Sequence, residues 1–315
     1  MPAWVIDKYG SNDVMRFNSN MVFPVINYPN EVIIKVHATS LNPIDVNMRN
    51  GYGSASLNMT RDPLNVKSSG SEFPLVLGRD VSGVVMECGL NVRYFKPGDQ
   101  IFKVWGAIPP WKQGALAEFV VTSGNEVRII SMKPKSLSHT EAASLPYVTL
   151  TAWAALANSC GLNNQRVLII GASGGVGTAA IQLLKAWGAH VTAVCSEDAF
   201  TLIKSLGADD IVDYKAAQLS EQLKSQELFD VILDNVGGET EKLAFQFLKP
   251  CNDRLGIADG MMRTGVTLSS KVVKVTFTAH IRPVIDEIFS FSDVPNAFSK
   301  VEKGHARGKT VIKVT

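Results

Sequence analysis

The chain of 315 residues is long enough for two domains, and its 46% of apolar residues can supply a core for each. Its formal net charge of +2, from 31 basic and 29 acidic side chains, provides no basic surface and argues against nucleic-acid binding. No uninterrupted apolar run approaches the ~20 residues that a membrane-spanning helix needs, so a soluble protein is expected.

Residues 1 to about 135 alternate between strand-like runs and turns, which predicts a β-rich N-terminal domain. The clearest strand patterns are Glu31–Ala38 and Asp80–Glu87, and the turn at Lys96–Asp99 leads into a further strand. Residues 54 to 72 are rich in Ser, Asn and Gly without periodicity, and they predict a long mobile loop.

From about residue 140, strand and helix patterns alternate, which predicts a parallel sheet. Within it, Arg166–Leu184 has the pattern of a strand, a tight glycine-rich turn and a helix. The small residues of this turn let the backbone approach a pyrophosphate at the helix N-terminus, where unpaired N–H groups favour an anion. Glycine is common in ordinary turns, but a second strand at His190–Cys195 follows at the expected distance and favours nucleotide binding. The predicted turn residues are Ser173, Gly174, Gly175, Val176 and Gly177.

The residue after that second strand bears on the choice between NAD and NADP. An NAD site usually has an acid there for the ribose hydroxyls, whereas here the position is Ser196, whose hydroxyl can donate to a 2′-phosphate. Tyr214 can pack beside the adenine after the third strand, and Lys215 adds positive charge. We interpret the neighbouring acids Glu197 and Asp198 as residues that open a helix. The sequence therefore predicts NADPH as the cofactor.

Cysteine and histidine spacing predicts neither disulfides nor a metal site. The cysteines stand far apart without a pairing rhythm, and two lie in predicted core strands, so buried reduced thiols in a reducing compartment are expected. The five histidines show no ligand spacing with one another or with the cysteines. The cysteines are Cys88, Cys160, Cys195 and Cys251.

A series of short motifs resembles the medium-chain dehydrogenase/reductase superfamily, specifically its zinc-free quinone oxidoreductase branch. In chain order the motifs are Asn42–Asp45, Leu77–Gly83, Lys96–Asp99, Gly114–Val120, Ala142–Pro146, Leu150–Trp153, the glycine-rich turn and Asp234–Gly238. The resemblance implies an α/β protein: a β-rich GroES-like domain at 1–138, a Rossmann-type doubly wound parallel sheet at 139–275, and a C-terminal return to the first domain at 276–315. Arg79 stands where zinc-dependent members have a histidine ligand, which agrees with the absence of a predicted metal.

The same resemblance implies an NADPH-dependent oxidoreductase that transfers hydride to a quinone or another conjugated carbonyl. The site residues that it implies are Asn42, Asp45 and Tyr52 for catalysis, and Thr151, Asn235 and Lys309 for the cofactor. Plainer alternatives stay open: Asn42 in a turn, Asp45 as a helix cap and Tyr52 as a loop aromatic. No obligatory general acid is visible, so either Tyr52 or solvent could deliver the proton.

The chain departs from the family pattern in two places. After Pro250 the pattern requires a fifth buried strand, yet polar residues follow at once, and the long helix expected before Pro283 is also missing. Either this is a shortened family member, whose sheet lacks the fifth strand and exposes an edge, or the given sequence omits residues of the protein.

A closer resemblance within the branch implies the mitochondrial matrix, a link to ubiquinone metabolism and a possible homodimer. The start at Met1 shows no Arg- and Ser-rich presequence, so the location rests on the resemblance alone. A second function stays open: a non-catalytic NADPH sensor or interaction factor with a reticulon-type protein partner.

Overall fold

A computed structural model describes residues 1–54, 73–104, 114–123, 130–156, 163–216, 218–250 and 281–315. The chain forms two compact units. The first contains Met1–Tyr147, Ile285–His305 and Lys309–Thr315, and the second contains Val148–Val284 and Ala306–Gly308. The domain limits expected from the sequence, after residues 138 and 275, stay a prediction.

The described residues contain both strands and helices. The strands are β1 (Ala3–Ile6), β2 (Met15–Asn18), β3 (Glu31–Leu41), β4 (Leu75–Val76), β5 (Asp80–Cys88), β6 (Gln100–Val104), β7 (Phe119–Ser123), β8 (Ile130–Met132), β9 (Arg166–Ile170), β10 (His190–Cys195), β11 (Asp210–Asp213), β12 (Val231–Asp234), β13 (Ile285–Ser290) and β14 (Lys309–Lys313). The α-helices are α1 (Pro43–Arg49), α2 (His139–Ala143), α3 (Pro146–Leu156), α4 (Gly175–Ala186), α5 (Phe200–Ser205), α6 (Leu219–Lys224), α7 (Glu239–Ala244) and α8 (Val294–Lys303).

The first unit is built on two sheets. A small antiparallel sheet has the order β2-β1-β4, and a larger one has the order β13-β14-β3-β5-β6-β8, with β7 also paired to β3. The long strand β3 is central because its Val, Ile and Ala residues are buried along most of its length. The last strand, β14, pairs antiparallel with β3, with Thr310 opposite Leu41. The C-terminal strand therefore joins the sheet that the N-terminal strands form.

The second unit contains a parallel sheet of the order β11-β10-β9-β12. The strand β9 is buried over its last four residues, and the four residues of β12 are all buried, as continuous apolar runs in a parallel sheet require. One face of α4 is buried, including Ala180, Ile181 and Leu184. This arrangement confirms the predicted α/β class and its Rossmann-type sheet.

The order of this sheet identifies where a ligand would bind. From β9 the chain adds β10 and β11 on one side, and β12 then lies on the other side of β9. In open α/β sheets, ligands bind at the carboxyl ends of the strands where the order reverses in this way. Here that point lies between the ends of β9 and β12, where Gly171 and Asn235 follow.

Several sequence expectations concern residues outside the described ranges. The missing fifth strand after Pro250 and the missing helix before Pro283 both fall on 251–280, and the loop predicted over 54–72 falls on 55–72 except for its first residue. Cys160 and Cys251 are also outside these ranges, whereas Cys88 and Cys195 are free thiols. Among the helices described, none is long and apolar enough to cross a membrane.

Candidate functional site

The glycine-rich turn joins β9 to α4 with little room on one side and open space on the other. A Cβ atom at Gly177 would lie 2.5 Å from the carbonyl oxygens of Ala172 and Gly171, so only glycine lets α4 start this close to the strand. A Cβ atom at Gly174 would meet only the Gly171 carbonyl oxygen, at an ordinary 3.6 Å. Because the first N–H groups of a helix lack intrahelical partners, the open side at Gly174 can receive a phosphate.

Asn235 places a hydrogen-bond acceptor beside this turn. Its backbone N–H and its side-chain Nδ2 donate to the Ile170 carbonyl oxygen at 3.1 and 3.2 Å, which fixes the side chain at the end of β9. Its Oδ1 atom is buried and accepts no hydrogen bond within the described protein. An unsatisfied buried acceptor costs free energy, and a bound hydroxyl group would remove that cost.

Asp234 holds the chain after β12 in a turn. Its Oδ1 atom accepts hydrogen bonds from the N–H groups of Val236 and Gly237 at 2.8 and 3.1 Å, and its Oδ2 atom accepts one from the Thr240 hydroxyl at 2.7 Å. The turn next to Asn235 is therefore shaped by side-chain bonds that leave Asn235 Oδ1 free.

The carboxyl end of β10 has a second polar group. Ser196 follows Cys195 directly, and its hydroxyl donates to the carboxylate of Asp198. The guanidinium of Arg307 forms an ion pair with the same carboxylate. Tyr214 is 44% exposed after β11, with the Lys215 ammonium 5.9 Å from its ring centroid. Sequence reasoning missed Arg307, because nothing in the chain order connects residue 307 with residue 196.

A second group of predicted site residues lies in the first unit, in a buried polar cluster centred on Asp80. The Asp80 Oδ2 atom accepts hydrogen bonds from Ser40 Oγ at 2.8 Å, Asn42 Nδ2 at 2.9 Å and Lys309 Nζ at 3.3 Å. The Oδ1 atom accepts one from the Tyr147 N–H at 2.8 Å. Lys309 Nζ also donates to the Leu41 carbonyl oxygen at 2.9 Å and to Asn42 Oδ1. These bonds fix both ends of the Asn42 amide.

Asp45 adjoins this cluster and caps α1. Its Oδ2 atom accepts the Asn42 N–H at 2.8 Å, so the helix-cap alternative describes its observed contact. Burial raises the pKa of Asp45 to about 6, and the nearby charges of Arg79 and Lys309 limit that rise. Burial also lowers the pKa of Lys309, while the carboxylates of Asp80 and Asp45 oppose the change. Sequence reasoning missed Asp80 as the centre of this cluster.

The structure brings Asn42, Asp45 and Lys309 together, and all three are almost fully buried, with 1%, 0% and 4% of their surface exposed. Tyr52 differs from them, since it is 43% exposed in the turn after α1, where its N–H donates to the Asn47 carbonyl oxygen at 2.9 Å. Thr151, on α3 in the second unit, is half-buried. The predicted site residues therefore divide into a set near the ends of the parallel strands in the second unit and a largely buried set in the first.

Comparison with known proteins matches most of the chain to one family. Residues 28–132 match the alcohol dehydrogenase GroES-like domain, and residues 175–258 and 271–312 match zinc-binding dehydrogenase models. The human protein "NAD(P)H oxidoreductase RTN4IP1, mitochondrial" is 60% identical over 359 aligned positions, covering 100% of this chain and 89% of the relative. The chain belongs to the medium-chain dehydrogenase/reductase family.

Two further similar proteins are named for different activities. The chloroplastic "NADPH-dependent alkenal/one oxidoreductase" of Arabidopsis thaliana is 33% identical, covering 99% of this chain and 79% of the relative. The structure of the quinone oxidoreductase from Coxiella burnetii is 30% identical with a TM-score of 0.80, covering 100% of this chain and 99% of the other. These matches confirm the predicted family and the GroES-like first domain.

The alignment with the human relative also bears on chain length. It spans 359 positions whereas this chain has 315 residues, so the relative has at least 44 aligned residues that this chain lacks. The given chain is therefore shorter than the part of this relative that aligns with it.

The zinc named in the family models has no recognisable ligand set in the described part of the chain. No group of three or more His, Cys, Asp or Glu residues there could hold a metal ion. Arg79, which the sequence resemblance sets at the position of the histidine ligand, is 1% exposed, and its Nη2 atom lies 2.8 Å from the Met48 sulfur. A buried cation is a poor neighbour for Zn²⁺ because like charges repel in a low dielectric.

Proposed function

We propose that this protein is an NADPH-dependent oxidoreductase that reduces a quinone or another conjugated carbonyl without a metal ion. The observation that carries the proposal is the glycine-rich turn at the switch point of the parallel sheet, open at Gly174 and flanked by the unsatisfied Asn235 Oδ1 atom. A phosphate and a ribose hydroxyl are the groups that these two features fit. When bound, the nicotinamide supplies the hydride.

The cofactor-binding residues of this proposal are Ser173–Gly177 for the pyrophosphate, Asn235 for a hydroxyl group, and Ser196 for the 2′-phosphate. Tyr214 offers an exposed aromatic face for the adenine. Thr151 and Lys309 stay as proposed contacts to the nicotinamide half. Because the Lys309 ammonium donates to Leu41, Asn42 and Asp80, we assign it chiefly to orienting Asn42.

On the substrate side, the residues differ in what they can do. Asn42 and Asp45 are almost fully buried among the described residues. Beside the catalytic role that the resemblance implies, we propose that they hold the start of α1 and the cluster around Asp80. Tyr52 follows the same helix with its side chain partly exposed, and a phenol can donate a hydrogen bond to a developing oxyanion. We therefore propose Tyr52 as the oxyanion donor and possible proton source.

The activities for which the relatives are named support the substrate class. The Coxiella structure is a quinone oxidoreductase and the Arabidopsis relative reduces alkenals and alkenones by its name, so both acceptors are conjugated carbonyls. The human relative is a mitochondrial NAD(P)H oxidoreductase, which supports a mitochondrial location here. The matrix, the link to ubiquinone metabolism and a homodimer remain proposals.

An alternative function is a non-catalytic NADPH sensor or interaction factor with a reticulon-type partner. The observation that favours it is the burial of Asn42, Asp45 and Lys309. Among the site residues predicted in the first unit, Tyr52 is the one with an exposed side chain. This alternative predicts NADPH binding without turnover.

The test measures binding and turnover separately on the full chain. NADPH binding is followed by fluorescence titration, and NADPH oxidation is followed with a benzoquinone and with a simple enone. We expect binding and turnover in the wild type, and a fall in kcat of about 10²-fold or more in Tyr52→Phe without a change in NADPH affinity. Tyr94→Phe is the matched control, since Tyr94 is 63% exposed and lies outside the proposed site.

Tight NADPH binding with turnover no faster than the uncatalysed background would refute the enzyme and support the alternative. Robust turnover that is equal in Tyr52→Phe and Tyr94→Phe would remove only the role of Tyr52.

A further inference from the structure

The short segment Ala306–Gly308 packs on the glycine-rich turn within the second unit. The Gly308 N–H donates to the Ser173 carbonyl oxygen at 2.9 Å, and Gly308 forms a parallel bridge with Gly174. A Cβ atom at Gly308 would lie 2.4 Å from the Val284 carbonyl oxygen, and its φ of +96° also favours glycine. The backbone next to Arg307 is therefore anchored to the phosphate-binding turn itself.

From this anchor, the Arg307 side chain reaches the end of β10. Its guanidinium pairs with Asp198 Oδ2, while the Ser196 hydroxyl donates to Asp198 Oδ1. The two groups best suited to a 2′-phosphate, a guanidinium and a hydroxyl, thus converge on one carboxylate. All three side chains are accessible to solvent, with Arg307 and Asp198 exposed by 43% and 53%.

We propose that Asp198 determines the specificity for NADPH or NADH, because its carboxylate binds Ser196 and Arg307 at the place that a 2′-phosphate would take. This inference rests on the proposed binding of NADPH. A 2′-phosphate must draw Ser196 and Arg307 away from Asp198, and its charge is repelled by that carboxylate. NADH meets no such repulsion, because its ribose hydroxyl can donate to a carboxylate. Asp198 therefore weakens the binding of NADPH and favours the binding of NADH. It reduces the preference for NADPH over NADH that Ser196 and Arg307 create.

The sequence position of Asp198 suggested a simpler role as an acid at the start of a helix. The structure has a short 3₁₀-helix at Glu197–Ala199, so both acids lie in its first turn. Of these two acids, Asp198 forms an ion pair within the described part of the chain, and this pair joins segments more than a hundred residues apart. Glu197 therefore serves as a matched control, with the same charge and a neighbouring position.

The test compares Asp198→Asn with Glu197→Gln in the full chain. Dissociation constants for NADPH and NADH are measured by fluorescence titration, with 2′,5′-ADP as a competing probe of the 2′-phosphate site alone. We expect Asp198→Asn to tighten the binding of NADPH and 2′,5′-ADP by about twofold to fivefold, the upper part of the range of an exposed charge interaction, and to leave the affinity for NADH unchanged or lower. Glu197→Gln should change each constant by less than about twofold.

The proposed role of Asp198 requires that its effect on affinity depend on Arg307. In an Arg307→Ala background, Asp198→Asn should give a smaller gain for 2′,5′-ADP than in the wild type. Weaker NADPH binding in Asp198→Asn, or equal effects of the two acid variants, would overturn the inference while leaving the cofactor assignment intact. A wild type that binds neither NADPH nor 2′,5′-ADP would instead overturn the proposed function and this inference with it.

Discussion

Substituting Gly174 should separate cofactor binding from folding more cleanly than substituting Gly177 in the same glycine-rich turn. Its φ of −72° and ψ of 171° lie in the extended region that any residue can adopt, and its Cβ position has no heavy atom closer than 3.6 Å. We expect Gly174→Val to lower the free energy of unfolding by only about 1 kcal/mol, through a poorer helix N-cap. The valine side chain would stand where the phosphate must approach.

The expected loss of affinity follows from the hydrogen bonds that the valine blocks. A hydrogen bond to a charged group contributes about 1.5–3 kcal/mol, so losing one weakens NADPH about 10- to 150-fold. Gly174→Ala should give a smaller loss, because a methyl group obstructs less of the approach. Binding is measured by NADPH fluorescence titration and stability by urea unfolding.

Gly177→Val is the contrasting variant. Its Cβ atom would overlap two backbone carbonyl oxygens at 2.5 Å, which cannot move as a flexible side chain would. Overpacking costs about 1–3 kcal/mol, and here we expect the upper end. A folded Gly174→Val variant with wild-type NADPH affinity, or one as unstable as Gly177→Val, would refute this reasoning about the turn.

Three further changes test other parts of the structure. Ser196→Asp should weaken NADPH much more than NADH, because a carboxylate repels the 2′-phosphate; equal losses in a fluorescence titration would contradict this. Burial, and to a smaller extent the charges of His37 and Lys133, lower the pKa of His139 to about 4. Between pH 6.5 and 4 the unfolded protein therefore binds more protons at this residue than the folded protein does, so the free energy of unfolding falls as the pH drops through that range. In urea unfolding, the free energy of unfolding of His139→Gln should fall by about 1–2 kcal/mol less than that of the wild type over this pH range, a figure reduced because the ring is partly exposed. Parallel pH profiles of the two proteins would contradict this. Asp80→Leu should lower the free energy of unfolding by about 3–5 kcal/mol because it leaves a buried cation unpaired, and a loss below 1 kcal/mol by the same measurement would contradict this.

The parallel sheet could be predicted because its signals are local. The run Arg166–Ile170, the glycines after it and the strand His190–Cys195 lie within 30 residues, and each pattern depends on nearest neighbours in the chain. The position of Ser196 at the end of β10 follows from the same pattern, and the structure confirms that it comes directly after that strand.

The contacts that join distant segments could not be predicted in this way. Arg307 reaches Asp198 across more than a hundred residues, and Lys309 reaches Asp80 across more than two hundred. Neither pair has a spacing or a periodicity that the sequence shows. The family resemblance pointed to Lys309 but not to its partner, because a motif names residues and does not state which side chains they contact.

The buried cluster also changes how the Asn42–Asp45 motif should be understood. The motif first serves the fold, since Asp45 accepts the Asn42 N–H and so starts α1. The same bond fixes the Asn42 backbone, while Asp80 and Lys309 hold the two ends of its amide. A side chain held on every side cannot move toward a substrate without breaking buried hydrogen bonds, which is costly in a low dielectric. Changes in this cluster should therefore alter stability and turnover together. By contrast, Tyr52, which is partly exposed, can affect turnover alone.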